Sequence, residues 1–304
     1  MKNLTQAQVN LVLNQSLNKV YESPVPELES NKLIPRGTNG IDEGAESFSW
    51  DEVTAWGMAK IVSRYAKDLP PVGFTSTKKF AGVYPLGNSY SHSIFDLKAA
   101  AFDNKPLNTK QATIARNAIL FEQDRLALEG DKKYGFDGFL NNPNVPVVAV
   151  TTGAWDTLGS STTGDQIVAD VQVILDAIKS ATKGTEKPNR IAIPSRIYSK
   201  LNNLRITSAG DAPRVLQYLK DSFPQITEWL SVDCLNGAGV GGADRVVVYT
   251  YDQDAVMNIV PMEFTQLPEQ WAGLAATVNN VATTAGTVFF RPLSAAYADV
   301  STPA

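Results

Sequence analysis

Residues 115–142 read ARNAILFEQDRLALEGDKKYGFDGFLNN. At 100° per residue, Ala112, Ala115, Ile119 and Leu126 fall on one stripe, and Ile114, Ala118, Phe121 and Leu128 on a second, well separated from it. Asn108 with Gln111 makes a capping box and Gly130 suits the position after a helix, so the spacing predicts a helix over 109–129, about 30 Å long. A surface helix carries one apolar stripe. Two stripes place this one between two layers of packing, with a glycine-punctuated, asparagine-ended loop to redirect the chain after it.

On the N-terminal side, Val9, Leu13, Leu17 and Val20 predict a short amphipathic helix over 5–20, with Thr5 as its cap. Residues 21–45 hold three prolines and three glycines without a period, which predicts an extended arm. From 46 to 93 the pattern turns to strands, with Phe48, Trp50, Trp56, Phe80, Val83 and Tyr84 around a middle rich in Lys, Pro and Gly. A long two-stranded excursion is marginal alone in water and needs a surface to lie on. Phe48, Trp50, Trp56, Phe80 and Tyr84 are therefore the candidate contact residues, expected to pack against protein. A short helix is expected at 94–102.

On the C-terminal side, residues 150–262 read as an α/β unit. Thr163 and Gln166 open a helix with Ile167, Val171, Ile174, Leu175 and Ile178 on one face, closing near Gly184. RIAIP at 190–194 is a short buried strand, helices follow at 195–204 and at 212–222 behind an Asp211 cap, and three more strand segments run to Met262. The last forty residues return to strand character. This order suggests an inserted domain whose flanking pieces rejoin in space.

The bulk numbers exclude several classes. The 304 residues allow two domains or one elaborated domain, and 43% hydrophobic content provides a core. A net charge of −4 argues against wrapping nucleic acid electrostatically. One cysteine, Cys234, rules out an internal disulfide and fits a reducing compartment. The N-terminus lacks a secretory pattern and no window suits a membrane span, so a cytosolic product and no membrane partner are expected.

Catalytic chemistry is sparse. His92 is the one histidine, flanked by serines, and no GxSxG elbow supports a nucleophile; a hydrogen-bonded structural histidine is the expectation. Cys234 at a strand end reads as a small buried hydrophobe. The glycines of LNGAGVGGADRVVVY (235–249) precede a strand, whereas a phosphate-binding turn needs a helix there. One His and one Cys do not build a zinc site, and the acidic run at 42–46 reads as solvated arm. The expectation is no catalytic, cofactor-binding or metal residue.

The order of arm, hairpin, long helix ending EGDKKYGFDGFLNNPNV, α/β unit and terminal FFRPLSAAYADV resembles the major capsid proteins of tailed bacteriophages, in their prophage capsid-like branch. Glu122–Asn142 is the most specific segment, and Arg291–Tyr297 and VLQYLKDSFPQI (215–226) are similarly placed. Ala285–Gly286 depart from the double glycine of many relatives. The resemblance implies an α+β Hong Kong 97-type fold: N-terminal arm 1–45, extended β-hairpin loop 46–93, peripheral domain with spine helix 94–149, inserted axial domain 150–262, and peripheral C-terminal strands 263–304. It further implies a coat protein that self-assembles as pentamers and hexamers into an icosahedral head. Such a head encloses double-stranded DNA without sequence-specific binding. Scaffolding, portal and decoration proteins would be partners, the virion its place, and the host cytoplasm the site of assembly. Some relatives join subunits through a Lys–Asn isopeptide bond, for which Lys60, Lys67, Lys78, Lys79, Asn279 and Asn280 are the residues at hand. The alternatives are an encapsulin-like nanocompartment shell and an α/β enzyme built on 150–262.

Overall fold

The computed structural model describes residues 27–61, 69–102, 107–150, 154–158, 163–206 and 213–301. The expected helix at 5–20, Lys67 and the Asp211 cap lie outside the described residues, as does the side chain of Asn108.

The order of elements begins with a helical turn α1 (Ser30–Leu33) and strand β1 (Arg36–Gly37). A ribbon of β2 (Ser47–Gly57) and β3 (Val72–Gly82) leads to β4 (Tyr84–Ser93), α2 (Ile94–Phe102) and the long α3 (Leu107–Leu128). Short strands β5 (Gly130–Asp131), β6 (Phe136–Asp137) and β7 (Val147–Val148) follow. Then come α4 (Gly164–Ala181), β8 (Arg190–Pro194), α5 (Ser195–Asn203), α6 (Val215–Ser222), β9 (Glu228–Val232) and β10 (Arg245–Tyr249). The chain closes with β11 (Val256–Ile259), β12 (Thr265–Gln266), β13 (Gln270–Ala272), β14 (Ala275–Thr284), β15 (Gly286–Phe289) and β16 (Ala295–Asp299).

The central mixed sheet has the order β7-β16-β10-β8-β9. Every residue of β10, RVVVY, is buried, because both faces are covered. Val246, Val248, Ala296 and Ala298 meet the apolar faces of α4, α5 and α6. Val247, Tyr249, Ala295 and Tyr297 face the opposite way, into a second core with Leu33, Ile34, Leu128, Phe139 and Phe289. The expected opening of α4 is observed: Thr163 and Gln166 form a reciprocal capping box, and Ile167, Val171, Ile174, Leu175 and Ile178 are buried. Helix α6 starts at Val215, three residues later than expected, with no side-chain cap on Arg214. β16 and β7, at the far ends of the α/β segment in sequence, lie in its sheet. The returning chain therefore closes that sheet as well as the one under α3.

That second sheet is built on β14, whose ten residues pair in full register with β4 on one side and with β12 and β13 on the other. The expected strand excursion over 46–93 thus divides in two. The ribbon closes at Gly82, and 84–93 belongs to the body. The reason lies in burial: Val83 packs with Met257, Ile259, Ala285 and Val288 and pins the chain at this point. A third sheet, β1-β11-β15, carries the arm residues 36–37 parallel to β11.

Helix α3 starts two residues before its expected position. Its C-terminus explains the motif after it. The last carbonyls of a helix lack intrahelical donors. Here Phe139 N–H donates to the Ala127 carbonyl (2.9 Å), Leu140 N–H to Leu128 (2.9 Å) and the Asn141 side-chain amide to Glu129 (2.6 Å). Asn141 Oδ1 in turn accepts from Gly138 N–H at 2.9 Å. The doubling back requires Gly130 in the left-handed region (φ 71°) and Gly138 against the helix end, where a Cβ would lie 2.3 Å from the Leu128 oxygen. The turn is then bolted to the central sheet. Arg245 donates to the Leu140 carbonyl at 2.6 Å and forks Asp299 at 2.7 and 3.1 Å, while the Tyr297 hydroxyl donates to the Phe139 carbonyl.

Candidate assembly surface

The β2–β3 ribbon pairs eleven residues on each strand, Ser47↔Gly82 to Gly57↔Val72. At about 3.4 Å per residue it reaches roughly 35 Å from its root. Two strands cannot bury either of their own faces, so its side chains divide by what else they touch.

At the root, Phe48 stacks on Trp50 at 5.6 Å and Trp50 meets Phe290 edge-on at 5.4 Å. Both lie against the small core of Val83, Met257, Ile259, Ala285 and Val288. Tyr84 packs its ring on Tyr134 and Phe136, at 5.6 and 5.1 Å. Three of the five candidate contact residues therefore hold the ribbon and its neighbouring strand to their own chain.

The other two are free. Trp56 is 55% exposed and Phe80 70% exposed. Cross-strand partners share a face, so the register puts Phe80, Val53, Phe74 and Val72 together on one face of the ribbon and Trp56 on the other. Phe74 (72% exposed) and Val72 (77%) extend the apolar face beyond what the sequence reading singled out. The signal was present in VGFTSTKKF, where Phe74 and Phe80 stand six apart, an even spacing that keeps them on one side of a strand. Gly73 leaves room for Trp56: a Cβ there would fall 2.8 Å from the indole. Charge does not oppose contact, because Asp51 sits opposite Lys78 and Glu52 lies 3.9 Å from Lys79.

Two further apolar areas are open. Of the two stripes on α3, Ala115, Ile119 and Leu126 of the first are buried; in the second Leu128 is buried and Phe121 half-buried, whereas Ile114 is 68% exposed and Ala118 is exposed. Phe95 and Phe102 of α2 are exposed as well. A cleft of about 360 Å³ separates the ribbon root from the turn after α3, lined by Trp50, Phe80, Tyr134, Phe136, Phe290 and Leu293.

The groups weighed for chemistry sit elsewhere. His92 is buried on β4 beside Tyr90 and Trp271. Contrary to the expectation of a hydrogen-bonded histidine, neither ring nitrogen has a hydrogen-bond partner among the described residues, and the Glu269 carboxylate is 3.9 Å away. Aromatic packing holds the ring. Cys234 is half-buried, and burial pushes its thiol well above the usual range, away from the reactive thiolate. Among the described residues no cluster of three or more His, Cys, Asp or Glu side chains is placed to hold a metal, and no helix is long and apolar enough to cross a membrane. Of the crosslink residues, Lys60, Lys78 and Lys79 are exposed, while Asn280 is buried and donates to Asn88 at 3.0 Å.

Solved structures share this architecture end to end. The capsid of Myoviridae phage XM1 is 16% identical over 98% of this chain and 99% of that one, with a TM-score of 0.78. The capsid of a native GTA particle is 11% identical (99% and 100%, TM-score 0.68), and Mycobacterium phage Adephagia 13% (99% and 100%, TM-score 0.65). At these identities the likeness establishes the fold, an α+β fold of the Hong Kong 97 type. The sequence model described as major capsid protein matches residues 57–300. The chain belongs to that family. As a major capsid protein it has a structural role, and many copies of it form the shell of a phage head. The family match favours this over a nanocompartment shell or an enzyme built on 150–262. A search of curated proteins finds no match.

Proposed function

We propose that this major capsid protein closes an icosahedral head of pentamers and hexamers through its β2–β3 ribbon, which lays Trp56, Phe74 and Phe80 on an adjacent copy. The observation that carries this reading is the ribbon itself: roughly 35 Å of paired strand with large apolar side chains exposed on both faces and, among the described residues, held at its root. Burying each of these side chains on a neighbour stabilises by roughly 1.5–3 kcal/mol, and a shell repeats the gain at every copy.

On this reading residues 1–45 act as the arm and 46–93 contain the extended loop. Residues 94–149 and 263–304 build the peripheral domain around α3, and 150–262 supply most of the axial domain, with β7 and β16 stitching the two together. The head encloses double-stranded DNA by confinement, since a chain of net charge −4 offers little electrostatic grip. Scaffolding, portal and decoration proteins complete the particle, and assembly takes place in the host cytoplasm.

Purified chain carrying Trp56→Ala with Phe74→Ala tests this. Unchanged thermal stability with loss of closed particles in negative-stain images is the expected result. Normal particles at normal yield would remove the ribbon from the assembly contact.

A further inference from the structure

The seat of α3 on the β1-β11-β15 sheet is polar where helix seats are ordinarily apolar. Arg36 and Asn258 are register partners across β1 and β11, and Asn258 is paired in turn with Thr287 on β15. Their side chains share the sheet face under α3: Thr287 Oγ1 donates to the Ala127 carbonyl at 2.7 Å, and Arg36 Nη2 donates to Gln123 Oε1 at 3.2 Å. Met257 and Ile259, the alternate residues of β11, point away into the apolar core.

At this seat three polar atoms meet no hydrogen-bond partner among the described residues: Arg36 Nε, Gln123 Nε2 and Asn258 Oδ1. Gln123 and Asn258 are each 3% exposed. Leaving one buried polar group unpaired costs about 1–3 kcal/mol. Three together call for a common partner. Arg36 orients the Gln123 amide, because its oxygen already accepts from the guanidinium and its NH2 is left to donate inward. The set is therefore two donors and one acceptor. An anion would satisfy the donors and repel the amide oxygen, and a cation would do the reverse. A water molecule accepts twice and donates, which matches all three, and buried waters typically make about three such bonds.

We infer that one ordered water is bound between Arg36 Nε, Gln123 Nε2 and Asn258 Oδ1, joining the arm strand, the long helix and the body sheet. The helix is thus held here through a hydrated joint, in contrast to the apolar burial of Leu126 and Leu128 further on.

A density map of the purified protein or its particle, at a resolution that shows ordered solvent, tests this together with two variants. Density within hydrogen-bonding distance of all three atoms is expected in the parent. It should be retained in Asn258→Asp, which keeps the acceptor, and lost in Asn258→Leu. A parent joint without density, or with the Gln123 and Asn258 amides bonded directly to each other, would overturn the inference. Should Asn258→Leu fail to fold, the parent and Asn258→Asp maps decide alone.

Discussion

At Gly138 the methyl of an alanine would meet the Leu128 carbonyl oxygen at 2.3 Å and the Gly130 nitrogen at 2.6 Å, both backbone atoms that have no room to retreat. Gly138→Ala is expected to cost about 3 kcal/mol in denaturant unfolding. Gly135→Ala is the control. That residue has positive φ (75°), unlike Gly138, but nothing lies within 4 Å of a Cβ, so only backbone strain of about 1–2 kcal/mol applies. The same turn rests on Tyr297, and the arm rests on Tyr249, whose hydroxyl donates to the Leu33 carbonyl at 2.6 Å. Burial raises the phenol pKa of both well above 10. The unfolded chain therefore releases these protons first as pH rises. Stability should be flat with respect to these groups up to about pH 9, then fall above pH 10 by up to about 1.4 kcal/mol per pH unit for each tyrosine. Replacing one of them with Phe should take up to about 1.4 kcal/mol per pH unit off the slope of unfolding curves above pH 10, to which the buried Cys234 thiol also contributes; an unchanged slope would show that this tyrosine does not contribute.

The ribbon separates two kinds of aromatic residue that look alike in sequence. Trp50→Ala removes contacts with Phe48 and Phe290 and should lower the stability of the unassembled chain by about 2 kcal/mol, below a full core truncation because the ring is only partly buried. Trp56→Ala touches little in its own chain and should leave that stability within about 0.5 kcal/mol. Thermal melts of the two variants check the difference directly. The sequence reading could not draw this line, because alternation tells which residues share a face and not which stretch of a ribbon lies on the body. The same limit explains β4, which continues the strand pattern after Gly82 but pairs with β14, nearly two hundred positions away. What was legible were features with local causes: the α4 capping box, the buried RIAIP strand, the RVVVY strand, and the helix–glycine–asparagine turn. Phe74 went unremarked because its role depends on register with Ala55, and Ile114 was read as covered because its stripe is apolar whether or not anything covers it.

Over the whole molecule the described chain has two well-filled cores, on either face of the central sheet, and an apolar surface that neither core reaches. That surface comprises the ribbon beyond its root, Ile114 and Ala118 of α3 and the exposed phenylalanines of α2. A contact made from such groups is insensitive to screening. Particles should therefore keep their form when ionic strength is raised from about 0.1 to 1 M, where the Debye length falls from about 10 to 3 Å; dissociation over that range, seen by light scattering, would assign the contact to charge instead. The most direct measurement is a cryo-EM reconstruction of the assembled particle in which side chains along the ribbon are visible. The account predicts Trp56, Phe74 and Phe80 seated against a neighbouring copy and withdrawn from solvent. A closed shell in which those three side chains still face water would contradict it.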